Sequence, residues 1–451
     1  MISQQPNRTH AVVAGAGIAG LLAARALAEH FAEVTILEKD PSSSERAPRP
    51  GVPQGRHLHI LLPSGVEAIE GFFPGGIAEL VSSGAKPFDY GMAHLYVYGM
   101  WLPRVQTELF ALAQSRPLLE QHLARWVGRI PNVRLLNQVT VGAPIFDRSA
   151  RRVTGVEFSL SRGKQKQKLE ADLVVDATGR STRLPQWLRD AGFGCVPEST
   201  VRIDLGYATG QFHVPEQLLP DSPLLYIVGP PPHQTKVGVL FQVEDGIVFG
   251  GMGGYHGDYP PAELDGFLRF AKDLSQPHVF NALSRAEPCA CIEQFRIPAS
   301  IRRRYDAMHN FPDGLLPIGD AICSLDPAFG QGMSIAALEA KILSRCLARN
   351  SGPGAEFKRD YFRGANAVLD AAWDLSSREN FRYPQTTGTR PWSLSFASRY
   401  MDFLVSARDP AVMAELYKVI TLTAPPEIAL RPRLAVRALK QFASPFHQPI
   451  T

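Results

Sequence analysis

Residues 11–40 read AVVAGAGIAGLLAARALAEHFAEVTILEKD, and the order of parts in this stretch decides the fold. Val12 and Val13 close a short apolar strand that runs into Gly15, Gly17 and Gly20. A helix pattern follows through Leu21, Leu22, Ala24, Leu27 and Ala28, and a second strand, Val34 to Leu37, ends in Glu38. Three glycines spaced G-x-G-x-x-G between a strand and a helix form a dinucleotide-binding turn. Gly15 permits the tight turn, Gly17 lets a pyrophosphate approach the backbone, and Gly20 lets the helix pack closely on the strand. The free N–H groups and positive end of that helix then hold phosphate. Glu38, 18 residues past Gly20, stands where a carboxylate accepts hydrogen bonds from adenosine ribose hydroxyls and repels a 2′-phosphate. The ligand expected here is therefore FAD or NAD, not NADP.

Two further glycine-centred segments tip the balance to FAD. Asp172 to Arg183 reads DLVVDATGRSTR, an apolar strand leading into Asp176-Ala-Thr-Gly179. Leu315 to Leu338 reads LLPIGDAICSLDPAFGQGMSIAAL, a buried strand ending at Gly319-Asp320. Asp320 is placed to accept hydrogen bonds from ribityl or phosphate-side hydroxyls. Pro327 and then Gly330-Gln331-Gly332-Met333 open another helix, whose N-terminus would stabilise negative charge on a reduced flavin. The plainer readings are a helix cap for Asp320 and an ordinary glycine-rich turn for the first segment.

Composition fits a sizeable enzyme. The chain has 451 residues, is 45% hydrophobic and carries a net charge of +4, which predicts no nucleic-acid partner. Five cysteines, an odd number without a C-x-x-C pair, fit a reduced, cytoplasmic protein, and no metal site is readable. Functional glycines interrupt the apolar N-terminus, so it is not read as a signal peptide, and no run long enough for a transmembrane helix occurs.

Further along, the Pro- and Arg-rich PSSSERAPRPGVPQGRH, Pro41 to His57, reads as an ordered loop over the cofactor. Residues 108–127 carry a helical period, with Arg116 near its start. Asn132 to Thr140 reads as a strand, and Val153–Leu160 with Lys168–Val175 as a β-pair joined by SRGKQKQK. Between about 200 and 300, period-two segments predict a mainly antiparallel sheet. There Tyr207, Phe212, Tyr226, Phe241 and Phe249 are candidate pocket walls, with simple core packing as the alternative. Cys289-Ala290-Cys291 reads as alternate faces of a strand. The expected class is α/β: a Rossmann-like FAD-binding domain (8–85, 105–198 and 300–350), an inserted mainly antiparallel β-sheet substrate domain (86–104 and 199–299), and a helical C-terminal region (351–451). Within the last, LRPRLAVRALKQF (Leu430–Phe442) is a candidate for peripheral contact with an anionic bilayer, with a solvated surface helix as the plainer reading.

Across roughly residues 8–350 the chain resembles the single-component FAD-dependent monooxygenases of the para-hydroxybenzoate hydroxylase type. The resemblance rests on the order of Gly15-x-Gly17-x-x-Gly20, Asp176-Ala-Thr-Gly179 and Gly319-Asp320. The stretch RPGVPQGRHLHILLPSGVEAIEGFFPG, residues 49–75, is similar to the epoxidases of polyether antibiotic biosynthesis. The resemblance implies that Glu38 binds the adenosine ribose, that Arg56 and Arg116 contact FAD phosphate or ribityl groups, and that Asp320 meets the pyrophosphate side. Gly330 to Met333 would line the flavin ring, and Lys39 and Val139 complete the cofactor-binding set. It also implies NAD(P)H as a transient reductant, dioxygen as co-substrate, and oxygen delivered from a flavin C4a-hydroperoxide. The expected reaction is epoxidation of an apolar secondary-metabolite alkene, which needs no catalytic base; a phenol would need one. His57 is the candidate side chain for approaching the reacting centre, and His59, two residues on, would face the other way.

Other readings share the scaffold: an aromatic hydroxylase, a flavin alkene reductase of the geranylgeranyl reductase type, or a flavin-binding module without catalysis. A tryptophan-halogenase-like activity is disfavoured because no Trp-x-Trp pair occurs.

Overall fold

In the computed structural model, which describes residues 8–41, 48–147, 149–160, 165–390 and 394–442, strand His10–Ala14 lies at the centre of a five-stranded parallel sheet. The strand order is Leu315–Pro317, Leu173–Asp176, His10–Ala14, Glu33–Leu37 and Val133–Leu136, with Val12 opposite both Val174 and Thr35. The three glycine segments therefore leave the same edge of three adjacent strands. In such sheets ligands bind outside the carboxyl ends of the strands. Helix Ile18–Ala28 covers the sheet through Leu21, Leu22 and Leu27, all essentially inaccessible. Burying each such side chain contributes about 1.5–3 kcal/mol.

The second layer is a ten-stranded sheet dominated by antiparallel pairs, built on the long strand Glu198–His213 with Val248–Tyr255 and Glu293–Arg303 on either side. Strand Leu224–Val228 pairs parallel with His94–Val97. Lys86–Asp89 instead joins Phe110–Gln114 and His59–Leu61 in a separate three-stranded sheet. Of the stretch 86–104 assigned to the substrate domain, only residues from His94 onward enter the large sheet.

Other boundaries shift for local reasons. The helical period over 108–127 divides into strand Phe110–Gln114 and helix Arg116–Gly128, because Ser115 caps the helix by accepting from Leu118 N and Pro117 sits in its first turn. Arg152–Leu160 pairs with Lys166–Glu170, whereas Leu173–Asp176 belongs to the parallel sheet. Residues 161–164 of the joining turn and 42–47 of the Pro- and Arg-rich loop lie outside the described residues. Cys289 and Cys291 fall in the exposed link between Glu287–Pro288 and Glu293–Arg303, not in a strand.

After Pro327 the chain is mainly helical: Gly332–Arg349, Ala355–Asn380, Leu394–Ser406, Pro410–Ile420 and Pro432–Phe442. Helix Gly332–Arg349 packs on Ile18–Ala28, and Ala355–Asn380 packs on Gly332–Arg349. Among the described residues no helix is long and apolar enough to cross a membrane.

Candidate flavin site

The glycine turn shows which of its members packing demands. A Cβ on Gly20 would fall 1.9 Å from Gly15 O, and one on Gly15, with φ +102°, 2.6 Å from Ala177 O. A Cβ on Gly17 would meet nothing within 4 Å. Gly17 is thus left open by the protein itself, and it lines a cavity of about 800 Å³. That volume is in the upper part of the ~300–1,000 Å³ usual for ligand sites.

Two helices begin at this cavity, and neither carries a side-chain cap or an acidic residue in its first turn. One is Ile18–Ala28, behind Gly17, and the other Gly332–Arg349, behind Gln331. Their first N–H groups and positive ends are available to an anionic or electron-rich ligand. Gln331 donates its Nε2 to Ile420 O at 3.1 Å, while its buried Oε1 has no partner among the described residues. Asp320 also lines the cavity, and its carboxylate accepts no hydrogen bond from a described residue. Burial raises its pKa, opposed by the nearby Arg116, Arg180 and Arg303 guanidiniums. An open glycine, two uncapped helix ends, a free carboxylate and an orphaned amide oxygen fit a pyrophosphate-linked, ribityl-bearing flavin.

The loop before the cavity places a different arginine from the expected one. Arg56 is exposed and pairs with Glu293 on the outside, without lining the cavity. Arg49 turns inward: Nε lies 3.0 Å from Glu120 Oε2, Nη1 3.3 Å from Glu38 Oε2, and Nη2 donates to Ala16 O at 3.1 Å. Burial alone would lower the Arg49 pKa, but Glu120 and Glu38 outweigh it and raise the value. Glu120 in turn takes Arg116 Nε on Oε1 at 2.8 Å. This buried row of alternating charge was not legible in the sequence, where nothing marks Glu120 or distinguishes Arg49 from Arg46 and Arg56.

Glu38 is 6% exposed and spends its oxygens on Ala16 N, 2.6 Å, and Asp40 N, 2.9 Å. Val139 donates its N–H to Glu38 O at 2.8 Å, and Lys39 is exposed beside them. These three stand at the outer end of the glycine turn and do not line the cavity. Arg116, Pro327, Gly330, Gly332 and Met333 do line it.

His57 and His59 are both held neutral. His57 bonds Thr209 Oγ1 at 2.9 Å and meets Tyr207 edge-on at 4.6 Å; burial lowers its pKa to about 4. Burial and then Arg116 lower that of His59 to about 3. Because arginine only donates, His59 Nε2 accepts from Arg116 Nη1 at 3.3 Å, and His59 Nδ1–H donates to His57 O at 2.9 Å. Both histidines line the cavity, although strand alternation alone put them on opposite sides.

Of the aromatic candidates, Tyr207, Tyr226 and Phe241 line the cavity. Phe212 does not: it lies on the opposite face of the strand from Tyr207 and stacks on Phe267 at 6.2 Å in a second core behind the sheet. Phe249, paired with Phe241, is absorbed into the main core. Helices Leu394–Ser406 and Pro410–Ile420 complete the wall with Tyr400, Met401, Met413 and Leu416, a contribution the sequence did not indicate.

Residues 13–72 match the family described as NAD(P)-binding Rossmann-like domain. Over 424 residues, 91% of this chain and 88% of the relative, the sequence is 34% identical to Protein Rv3254 of Mycobacterium tuberculosis. It is 26% identical over 444 residues to a kynurenine 3-monooxygenase of Salinispora arenicola, covering 93% of this chain and 89% of that one. The crystal structure of PqsL, a probable FAD-dependent monooxygenase from Pseudomonas aeruginosa, superposes with a TM-score of 0.62 at 16% identity, over 83% of this chain and 98% of that one. The chain belongs to the same family as Protein Rv3254, and it has the fold of the FAD-dependent monooxygenases.

Proposed function

We propose that this chain is an FAD-dependent monooxygenase that uses NAD(P)H and dioxygen to place one oxygen atom on a largely apolar small molecule. The observation that carries the reading is the convergence of Gly17, Asp320 and two uncapped helix N-termini on one cavity that continues into apolar space. FAD, when bound, supplies the redox chemistry that activates dioxygen. The protein's part is to hold and orient. Arg116, Asp320 and the N–H groups behind Gly17 and Gln331 would grip the cofactor, and Tyr207, Tyr226, Phe241 and the C-terminal helices would exclude water from the substrate. His57 and His59, both neutral, would add no charge to that space.

Alkene epoxidation, the reaction implied by the resemblance of residues 49–75, is supported by the apolar wall of Leu224, Val237, Val239 and Phe241. Hydroxylation of a phenol or enol is the second reading, favoured by a buried carboxylate in the same wall, Asp326. Five free cysteines are in keeping with a reducing compartment such as the cytoplasm. At the cavity's outer rim Leu430 is exposed, and helix Pro432–Phe442 exposes Val436 and Leu439 beside Arg433 and Lys440, which supports shallow contact with an anionic bilayer. Co-sedimentation with anionic and neutral vesicles tests that contact, and equal retention on both would exclude it.

The function is tested by measuring NAD(P)H-coupled oxygen consumption with a panel of alkenes and phenols, and the product mass for a gain of one oxygen. A product gaining two hydrogens and no oxygen would replace this reading with an alkene reductase.

A further inference from the structure

Asp326 is 1% exposed and lines the cavity one residue before Pro327. Its Oδ1 accepts from Ala328 N at 2.9 Å, which caps the short turn Pro327–Phe329. One oxygen suffices for that structural task. The other, Oδ2, accepts from Tyr255 OH at 2.9 Å, and Asn380 also bonds the carboxylate. No Lys, Arg or His among the described residues pairs with it. Glu379, next to Asn380, is spent on two arginines, taking Arg378 Nε on Oε1 at 2.9 Å and Arg382 Nε on Oε2 at 2.7 Å.

Four tyrosines from separate elements stand near this carboxyl and line the cavity: Tyr207, Tyr226, Tyr255 and Tyr383. Tyr226 OH donates to Ala328 O and Tyr383 OH to Gln234 O, each at 3.1 Å, so those hydroxyls are tied to the backbone. Tyr255, stacked on Tyr383 with centroids 5.3 Å apart, is the one bonded to Asp326. Burial without a counter-ion favours the neutral acid and pushes the Asp326 carboxyl up to about 6. Once Asp326 is protonated, the bond reverses: the acid donates to Tyr255 Oη, and Tyr255 is left with its own O–H for the cavity.

We propose that Tyr255 and Asp326 give this chain a second activity, isomerising the epoxide formed in the cavity to an aldehyde or ketone. Tyr255 gives its proton to the epoxide oxygen as Asp326 passes a proton to Tyr255 Oη, and one ring C–O bond breaks. A hydride on the carbon that keeps the oxygen shifts with its electron pair to the cationic carbon. A C=O bond forms, and the oxygen's proton returns through Tyr255 to Asp326 Oδ2. The product is an isomer of the epoxide, so no oxidant, reductant or water is consumed. Tyrosine ring faces stabilise the developing cation, and the Asp326 carboxylate is its counter-ion. The apolar wall of Leu224, Val237, Val239 and Phe241 offers no nucleophile to capture that cation, so a carbonyl compound forms and not a diol. Tyr255 is the catalytic residue, and Asp326 acts through it.

The step rests on the alkene-epoxidation reading for its epoxide, and one experiment separates the two. FAD-loaded wild type, Asp326→Asn and Tyr255→Phe are each given styrene oxide without NAD(P)H, and phenylacetaldehyde is followed by chromatography from pH 6 to 8. Asp326→Asn keeps an oxygen for Ala328 N, and Tyr255→Phe keeps the stack on Tyr383. The expected wild-type rate exceeds the spontaneous one and falls toward tenfold per pH unit above about 6, because only the protonated carboxyl acts. Tyr255→Phe is expected to be at least tenfold slower, and Asp326→Asn at least tenfold slower at pH 6 and flat with pH, with flavin content equal in all three. Should Asp326→Asn fail to fold, Tyr255→Phe and the wild-type pH profile carry the comparison. Uptake of FAD with no aldehyde above the spontaneous rate, with equal rates in wild type and either variant, or with enzyme-formed diol in place of aldehyde overturns the isomerase step and leaves the monooxygenase reading standing. Failure of the wild type to take up FAD overturns that reading and, with it, the source of the epoxide.

Discussion

Glu38 Oε2 accepts the backbone N–H of Ala16 at 2.6 Å, so the acid at the end of the second strand grips the glycine turn from within. Its other oxygen is taken by Asp40 N at 2.9 Å. Glu38→Ala is therefore expected to loosen the turn and weaken FAD about tenfold, in keeping with the ~1.5–3 kcal/mol of a hydrogen bond to a charged group. Asp320→Ala, which removes the free carboxylate facing the cavity, is expected to yield protein without flavin. Flavin content after gel filtration checks both, and equal content in the two variants and wild type would remove Glu38 and Asp320 from the site.

Gly17 and Gly20 respond differently to the same added methyl. Gly17→Ala has room in the protein, so its melting temperature is expected to stay close to wild type while FAD affinity falls at least tenfold. Gly20→Ala would place Cβ 1.9 Å from Gly15 O, and it is expected to lower the melting temperature of the ligand-free protein. Thermal melts with and without FAD distinguish a ligand-driven glycine from a packing-driven one.

Arg49 and Arg56 invite the same comparison. Arg49→Met leaves Glu120, 8% exposed, with Arg116 as its one cationic partner among the described residues, and loss of about 3–5 kcal/mol of stability is expected. Arg56→Ala removes an exposed pair with Glu293, worth ~0–1 kcal/mol, and FAD binding is expected to be unchanged. Denaturant unfolding and FAD titration of both variants provide the check.

The dinucleotide half of this fold was legible because its constraints are local. A glycine whose Cβ would strike a carbonyl, as at Gly15 and Gly20, marks its own position in the sequence. Direction is not marked in that way. The loop's arginines carry identical chemistry, and only the packed helix Arg116–Gly128, which presents Glu120, selects Arg49. The antiparallel strands are covered on both faces, so Phe212 and Tyr207 look equally suited to a pocket until helix Leu264–Lys272 is seen to claim Phe212 through Phe267. The C-terminal helices show the same limit: an apolar face must be buried, but its sequence does not say against what.

His57 and His59 predict a pH dependence of known sign. Burial holds their folded pKa values near 4 and 3, below the ordinary 6.5, so the unfolded chain binds protons more readily. The stability they confer is full above about pH 6.5 and is lost as pH falls through that window. Melting temperature against pH is expected to drop more steeply between pH 6.5 and 4 in wild type than in His57→Gln.

Glu339 works in the opposite sense. It is fully buried, accepts Gly319 N at 2.7 Å, and burial raises its pKa to about 8 from 4.5. Its contribution is full below about pH 4.5 and declines as pH rises toward 8. Glu339→Gln mimics the protonated acid, so this variant is expected to be less sensitive than wild type to alkaline pH, by thermal melts from pH 6 to 9.

Titration of the purified wild-type chain with FAD, followed by quenching of flavin fluorescence, tests the central claim most directly. Saturation at one FAD per chain, abolished in Asp320→Ala, is the predicted result. A wild-type chain that folds but gives no saturable quenching would contradict the assignment of this cavity to a flavin.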